Sequence, residues 1–420
     1  MDENGLEEFS YELLPTEFPP ECSQNSSTFK TVEFLHMHTV INWPNFTQCL
    51  PHCGLCQPSA TDQAYLLYNF FVIGLLLPLI SICGLFGNGF SAYVYSRPAM
   101  RSSTNLYLCC LGFSDNSVLL TALFLFFLDS IKRYSLRLTI LFNTFSPYVY
   151  PAGMIAQTCS VYFTLVAAID CFTHVCLPDR FRQLFDSPKT IRAFICSVVV
   201  FSILYNVPHC FESVVVECWH LRFNSASVET CPAPFRFHPT YTDIYYKYLY
   251  SIFLAVGPLV ALICINTCII FFSMVLKLSD ADPSDNVALI LVVLLFISCN
   301  TIALLINIFE ENLASVLSWK INYIIDFSNL LVAFNSSFNF IIYYRFSRLF
   351  RRNFRSCVCG RCSLAHSNSI LVKESPALLN GLEMGNGTND HQKCATLQYK
   401  TESNDSLNIL RASANKEVLI

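Results

Sequence analysis

Charge is what this chain has least of. Asp, Glu, Lys and Arg make up 13% of its 420 residues, against roughly 25% in soluble domains. A soluble exterior cannot be built from so few, so the shortage excludes one over most of the length. Lys and Arg do not exceed Asp and Glu (26 against 30, formal net charge −4), which removes the electrostatic footing for a nucleic-acid partner. Enzyme signatures are missing too. There is no glycine-rich phosphate loop and no nucleophile elbow, and the acids inside apolar stretches are single and scattered, not paired for acid–base work. No repeated halves with broken helices mark a transporter. Residues 1–62 are polar and acidic, without the apolar centre of a cleaved signal sequence. The first apolar segment is therefore expected to direct its own insertion.

What is abundant is apolar and aromatic: 53% and 14% of the chain. Gln63–Ser96, Leu138–Ile169, Ala193–Phe211, Tyr248–Leu276 and Asn286–Phe309 contain no Asp, Glu, Lys or Arg; Ser102–Leu128 is interrupted by Asp115 alone and Ile321–Tyr344 by Asp326 alone. About 20 apolar residues cross the hydrocarbon as a helix, and backbone in lipid must satisfy its own hydrogen bonds. The expected fold is an all-α membrane protein, a seven-transmembrane helix bundle. Its spans are expected at about 65–95, 104–129, 150–177, 190–209, 244–276, 286–309 and 319–344. Arg97, Arg101, Arg180, Arg182, Lys189, Arg192, Lys277 and the cluster Arg345–Arg361 fall on one side, with fewer basic residues on the other. The basic side faces the cytoplasm, which puts the N-terminus outside and predicts a multi-pass protein of the plasma membrane.

Residues 1–64 hold nine Asp/Glu and one Lys, and read as a flexible, acidic extracellular tail. Asn25-Ser26-Ser27 and Asn45-Phe46-Thr47 are glycosylation sequons, with Asn25 and Asn45 the acceptors. Cys49, Cys53 and Cys56 with His52 mimic a zinc cluster, but in an oxidising compartment they favour disulfides; with Cys22 three pairings are open.

Asp170 ends a long uncharged run, and a carboxylate in a bilayer helix is a functional candidate by default. Phe172, Val175 and Pro178 follow it. Acid, aromatic, Val and Pro at this spacing resemble the inner end of the third helix of rhodopsin-class G-protein-coupled receptors, with Cys171 where that family carries Arg. The resemblance implies that Asp170, Cys171, Phe172, Val175 and Pro178 face a heterotrimeric G protein. It also implies a buried polar network of Asn88, Asp115, Ser160, Asn335, Asn339 and Tyr343, around a sodium ion on Asp115 or around bridging water. No other cofactor is expected.

The fourth span ends Leu204-Tyr205-Asn206-Val207-Pro208-His209-Cys210-Phe211-Glu212. Together with Ser96–Ser103, Phe296–Asn300, Asn307–Glu310 and Asn335–Tyr343 (Asn-Phe for the usual Asn-Pro), this is similar to invertebrate receptors for FMRFamide-like peptides over roughly residues 65–355. The resemblance implies an amidated neuropeptide ligand. Asp129 lies roughly 21 Å above Asp115 along a helix, and with Glu212, Glu310 and Asp326 it makes an acidic outer mouth that would draw a cationic ligand. Tyr148, Tyr150, Phe253 and Phe309 are expected to receive its aromatic ring. The outer loop carries Cys218 and Cys231; the usual partner position on the third helix is Ser146. A Cys218–Cys231 disulfide, or a bridge to the N-terminal tail, takes its place.

Residues 345–356 form a basic amphipathic helix for the inner leaflet. Cys357, Cys359 and Cys362 just beyond are palmitoylation candidates or free thiols. Residues 357–420 are polar and read as a disordered cytoplasmic tail open to kinases and arrestin-type binders, with Glu417–Ile420 shaped for a PDZ groove. Cys171, Asn300 and Ile302 depart from the rhodopsin-class pattern, which leaves a non-signalling peptide binder as the rival function; a seven-helix channel or transporter is the third.

Overall fold

A computed structural model of the chain describes Cys22 and residues 27–38, 40–56, 62–275, 283–317 and 320–357. In chain order these form helix α1 (Ser27–Met37), a small hairpin of β1 (Phe46–Thr47) and β2 (Leu50–Pro51), and the helices α2 (Gln63–Tyr95), α3 (Ser103–Lys132), α4 (Leu136–Cys176), α5 (Asp179–Phe185) and α6 (Pro188–Phe211). A hairpin of two eight-residue strands, β3 (Ser213–His220) and β4 (Ser225–Pro232), follows, then α7 (Ser251–Phe272), α8 (Pro283–Leu317), α9 (Ile321–Phe346) and α10 (348–357). Six of them, α2, α3, α4, α6, α7 and α9, are long and apolar enough to cross a membrane; α8 carries a shorter apolar stretch, Val287–Ile302.

The helices turn their polar side chains inward. Ser81, Asn88, Ser91, Asp115 and Ser160 are buried, while Phe86, Phe113, Leu204 and Phe271 stand exposed. That inversion of the usual pattern follows when the solvent is lipid, because an unpaired polar group facing hydrocarbon costs several kcal/mol, of order 2–7. Local signals fix the ends. Asp62 accepts from the Ala64 and Tyr65 amides to start α2, Ser102 accepts from the Asn105 amide to start α3, and Pro188 sits in the first turn of α6.

α4 is the central rod, touching α3, α6, α7 and α8. It begins at Leu136, well before the expected 150, and runs through Pro147 and Pro151. Each proline removes one backbone donor, but the uncharged sequence on both sides continues the helix past them.

The tail departs from the flexible segment expected for residues 1–64. Val32 and Leu35 of α1 pack with Ile41 against Val216 and Cys231 of the large hairpin, and Phe29, His36 and Phe46 surround Trp43. Three disulfides, Cys22–Cys49, Cys53–Cys218 and Cys56–Cys231, pin it there. Of the two alternatives for Cys218 and Cys231, the structure holds the bridge to the tail, made twice, and not Cys218–Cys231. Register explains why: Cys218 faces Ser227 and Cys231 faces Val214 across the ladder, so the two cysteines sit four rungs apart. Glu229, buried beside them, accepts from three successive amides, Gly54 (2.7 Å), Leu55 (3.0 Å) and Cys56 (3.0 Å). We call this disulfide-bonded assembly the cap.

Two cap-end groups outside the spans are shifted. Burial, with the Glu212 carboxylate next, holds the Tyr241 phenol above its ordinary value. Burial lowers the His220 imidazole, so it folds neutral. A base depressed on folding binds fewer protons in the folded state, so acidification below about pH 6.5 is expected to loosen the cap. Amide exchange of the hairpin at falling pH measures this.

Candidate ligand cavity and intramembrane polar network

A cavity of about 470 Å³ opens beneath the large hairpin. Val118, Thr121, Leu125 and Phe126 of α3, Phe142, Ser146, Tyr150, Gly153 and Gln157 of α4, and Ile325, Ser328, Asn329 and Val332 of α9 wall it. Tyr250 and Ile306 close the far side, and Ser213 and Thr230 of the hairpin form the roof. No Asp, Glu, Lys, Arg or His is among its lining residues. Widened, π-helical turns occur at this end of the bundle, at Phe70–Leu76, Leu123–Leu128, Tyr241–Leu249 and Ser251–Val256. Such turns accompany functional sites, and Leu125, Phe126 and Tyr250 reach the cavity from or beside them. Gly153 adds room, since a Cβ there would press on Thr121 at 3.1 Å.

The roof is fastened to α4. Asn143 Nδ2 donates to the Val228 carbonyl (2.7 Å), Thr230 Oγ1 donates to the Asn143 carbonyl (2.9 Å), and the Ser146 and Thr230 hydroxyls lie 3.0 Å apart. Ser146, where the resemblance leads one to look for a cysteine, thus holds the hairpin by hydrogen bonding.

Of the acids expected at the mouth, Asp129, Glu212 and Asp326 are engaged elsewhere, and none of these three lines the cavity. Asp326 accepts from Tyr65 Oη (3.1 Å) and Asn69 Nδ2 (2.9 Å), and Asn69 in turn accepts from Ser130. Asp129 pairs with Lys132 at 2.6 Å. Glu212 is buried between His209 Nδ1 (2.7 Å) and the Tyr241 hydroxyl. Phe253 and Phe309 are exposed and outside the lining set; Phe309 marks a bend in α8 (φ −109°, ψ 18°). The Glu310 side chain lies outside the described residues. Gln157 and Asn329, which do line the cavity, were not singled out, because neutral amides leave no trace in a search for charge.

Directly below, the Asp115 carboxylate accepts from Ser160 Oγ and from Asn339 Nδ2, each at 2.7 Å. The Ser336 side chain also hydrogen-bonds the Asp115 carboxyl, and the Ser336 carbonyl accepts from Asn88 Nδ2 (2.7 Å). Asn335 is buried one turn before Asn339. The Tyr343 hydroxyl is buried without a hydrogen-bond partner, and its ring packs on Tyr95 and Phe350. Cavity and network share helical turns: Val118 is three residues from Asp115, and Gln157 three from Ser160. At 1.5 Å per residue that separation is about 4.5 Å.

At the opposite end Asp170 is buried and accepts from the Ser103 and Thr104 hydroxyls. Cys171 and Val175 are buried, Phe172 is partly so, and Pro178 is exposed and precedes α5. Phe340 packs on Phe350 and Phe354 of α10. Cys357 ends α10 as a free thiol. Asn25, Cys359, Cys362 and the tail that follows lie outside the described residues, and Asn45 is exposed.

Residues 81–358 match the serpentine type 7TM GPCR chemoreceptor Srsx family. The chain is 41% identical over 322 residues to the probable G-protein coupled receptor frpr-1 of Caenorhabditis elegans, covering 72% of this chain and 84% of that one. It is 31% identical over 339 residues to the FMRFamide receptor of Drosophila melanogaster (77% and 60%) and 30% identical over 297 residues to the FMRFamide peptide receptor frpr-18 of Caenorhabditis elegans (65% and 66%). The chain belongs to the serpentine seven-transmembrane G-protein-coupled receptor family, and it is a multi-pass membrane receptor and not an enzyme.

Proposed function

We propose that this receptor binds an amidated FMRFamide-like neuropeptide from outside the cell and passes that binding to a heterotrimeric G protein. The carrying observation is the uncharged cavity with two carboxamide side chains, Gln157 and Asn329, among aromatic walls. A peptide ending in phenylalanine amide is neutral at that end and needs both a donor and an acceptor, which a carboxamide offers. A free carboxylate there would be desolvated with no cation to meet it. The preceding guanidinium would meet Asp326, next in sequence to the lining residue Ile325, in exchange for its bonds from Tyr65 and Asn69. Two relatives named as FMRFamide receptors support the same ligand.

Disulfides belong to an oxidising compartment, which supports the cap being extracellular, with Asn45 open to glycosylation and the receptor at the plasma membrane. α8 is the remaining span of seven. Ligand pressing on the cavity floor bears on the turns that carry Asp115 and Ser160, and favours a state in which the inner ends part. A sodium ion fits the same network. Asp115 brings a carboxylate, Ser160 a hydroxyl, and Asn339 Oδ1 is buried without a partner; such oxygen donors suit a hard cation. The inner opening beside Cys171 and α10 receives the G protein, Cys357 is a lipidation site, and the distal tail takes arrestin-type partners.

The test is a second-messenger assay on transfected cells with paired peptides, amidated and free-acid. The free acid is expected to be about 100-fold weaker, near the 2–3 kcal/mol of an unmet polar group. Gln157→Leu should cost the amidated peptide about tenfold at equal surface level. Equal potency of amide and acid would remove this reading, and binding without any second messenger would favour the decoy suggested by Cys171.

A further inference from the structure

Asp62, which starts α2, and Asp326 of α9 have one thing in common: among the described residues neither is ion-paired. Three tyrosines stand between them. Tyr65 Oη donates to Asp326 Oδ2 (3.1 Å), Tyr68 Oη donates to the Tyr323 carbonyl (2.9 Å), and Tyr323 Oη lies 3.5 Å from Asp62 Oδ2. The Tyr323 ring meets Tyr65 at 5.3 Å and 73°, and Tyr68 at 4.8 Å and 52°. Rings set at such angles form walls and not a stack. Asp326 takes its bonds from Tyr65 and Asn69 on Oδ2, and among the described residues Oδ1 takes none. Lys132, at the outer end of α3, is spent on Asp129 (2.6 Å) and on the Phe142 ring.

A clip between α2 and α9 would need only the hydroxyl bonds. Carboxylates without a cation, walled by aromatic rings, suit a cationic guest: the ring faces attract it and the carboxylate fixes where it sits. Among the cations a peptide carries, a guanidinium fits best. It is flat, it stacks on rings and it forks onto a carboxylate, whereas an ammonium is compact and strongly hydrated. The place is right as well. Tyr323, Asp326 and Asn329 follow one another at three-residue steps on α9, about 4.5 Å apart along the axis, and Asn329 lines the cavity. Consecutive peptide residues lie about 3.8 Å apart. A terminal amide held at Asn329 therefore brings the side chain before it level with Asp326 and the rings.

We propose that Tyr65, Tyr68 and Tyr323, with Asp326 and Asp62, form an aromatic cage for a guanidinium, which selects arginine over lysine next to the terminal phenylalanine amide. The cage rests on the peptide reading above and adds to it the ring walls, which that reading does not require.

The experiment is competition binding on cells expressing the full chain, as wild type, Tyr65→Leu, Tyr65→Phe and Tyr68→Leu. The probes are Phe-Met-Arg-Phe-amide and its analogues with lysine or citrulline for the arginine; citrulline keeps the shape and loses the charge. Wild type is expected to bind the arginine peptide about tenfold tighter than the lysine analogue and about 100-fold tighter than the citrulline analogue. Tyr65→Leu should cut the arginine-to-lysine ratio below about threefold, while the citrulline gap stays above about tenfold because Asp326 remains. Tyr68→Leu reads the same ratio on a second wall, should the first variant fail to reach the surface. Tyr65→Phe keeps the ring and loses the bond to Asp326, so it should keep the ratio. Ratios within one receptor cancel any general loosening of the bundle. If all three peptides weaken by one factor in both leucine variants, or if Tyr65→Phe loses the ratio, the cage is overturned and the peptide reading stands. If wild type binds none of the three, both are overturned.

Discussion

A receptor carrying Cys53→Ser and Cys56→Ser together is expected to need at least about tenfold more peptide for half-maximal response, at matched surface level, than the wild type. The reason is where the two bridges land. Cys218 is on β3 and Cys231 on β4, so each strand of the roof is held by its own disulfide, and Glu229 gathers the intervening amides of Gly54, Leu55 and Cys56 between them. Thr230, next to Cys231, both lines the cavity and bonds α4. The bridges close separations of 165 and 175 residues. In the chain-entropy account a loop of about 100 residues is already worth some 4.7 kcal/mol, so the pair dominates the cap's stability. Cys22–Cys49 closes only 27 residues within the tail and touches neither strand; Cys22→Ser with Cys49→Ser should shift potency less than about threefold. Dose–response curves and peptide off-rates read both. Unchanged potency in the first double variant would show that the tail does not position the roof.

That cap was the least legible part of the chain. Nine acids in the first 64 residues outweigh a few scattered apolar positions in any compositional reading, yet Val32, Leu35 and Trp43 find partners on a hairpin far along the sequence. Periodicity reports which face is apolar, never what covers it. The same holds for the acids. Asp326 stands out as a charge in an apolar run, but its engagement by Tyr65 and Asn69 spans 261 and 257 positions. By contrast, a bundle of membrane-crossing helices, the family and the receptor class were readable, because a bilayer imposes length and polarity on each segment separately. Asp115, Ser160 and Asn339 could be grouped because a buried carboxylate among apolar helices must have polar partners at its own depth. Ser336 escaped notice because serines are common in such helices and carry no signal of their own. The start of α4 at Leu136, ahead of the expected 150, was not readable, because the length of a span sets how much chain crosses the bilayer and not how far a helix continues beyond it.

Gly84→Val should destroy the bundle while Gly89→Val, five residues on in the same helix, should leave it intact. The two glycines look alike in sequence. A Cβ at Gly84 would collide with the Ser337 hydroxyl, lie 2.6 Å from Ser337 Cβ and 2.7 Å from Leu119 Cδ1, because side chains of α3 and α9 fill the space beside α2 there. At Gly89 a Cβ meets nothing within 4 Å; that face is turned to lipid. Close approach at small residues replaces the hydrophobic drive that membranes lack. Overpacking costs about 1–3 kcal/mol where neighbours can shift and more where, as here, three helices converge. Valine's loss of helix propensity is common to both sites and under about 1 kcal/mol, so it cancels in the comparison. Gly84→Val is expected to fall to under about a tenth of wild-type surface receptor, and Gly89→Val to stay within about a factor of two. Equal losses would mean that helix propensity decides, and equal tolerance that α2 can move away from α9. Either would unseat the triple contact, and with it the seat of Asn88, whose bond to the Ser336 carbonyl depends on α2 lying that close.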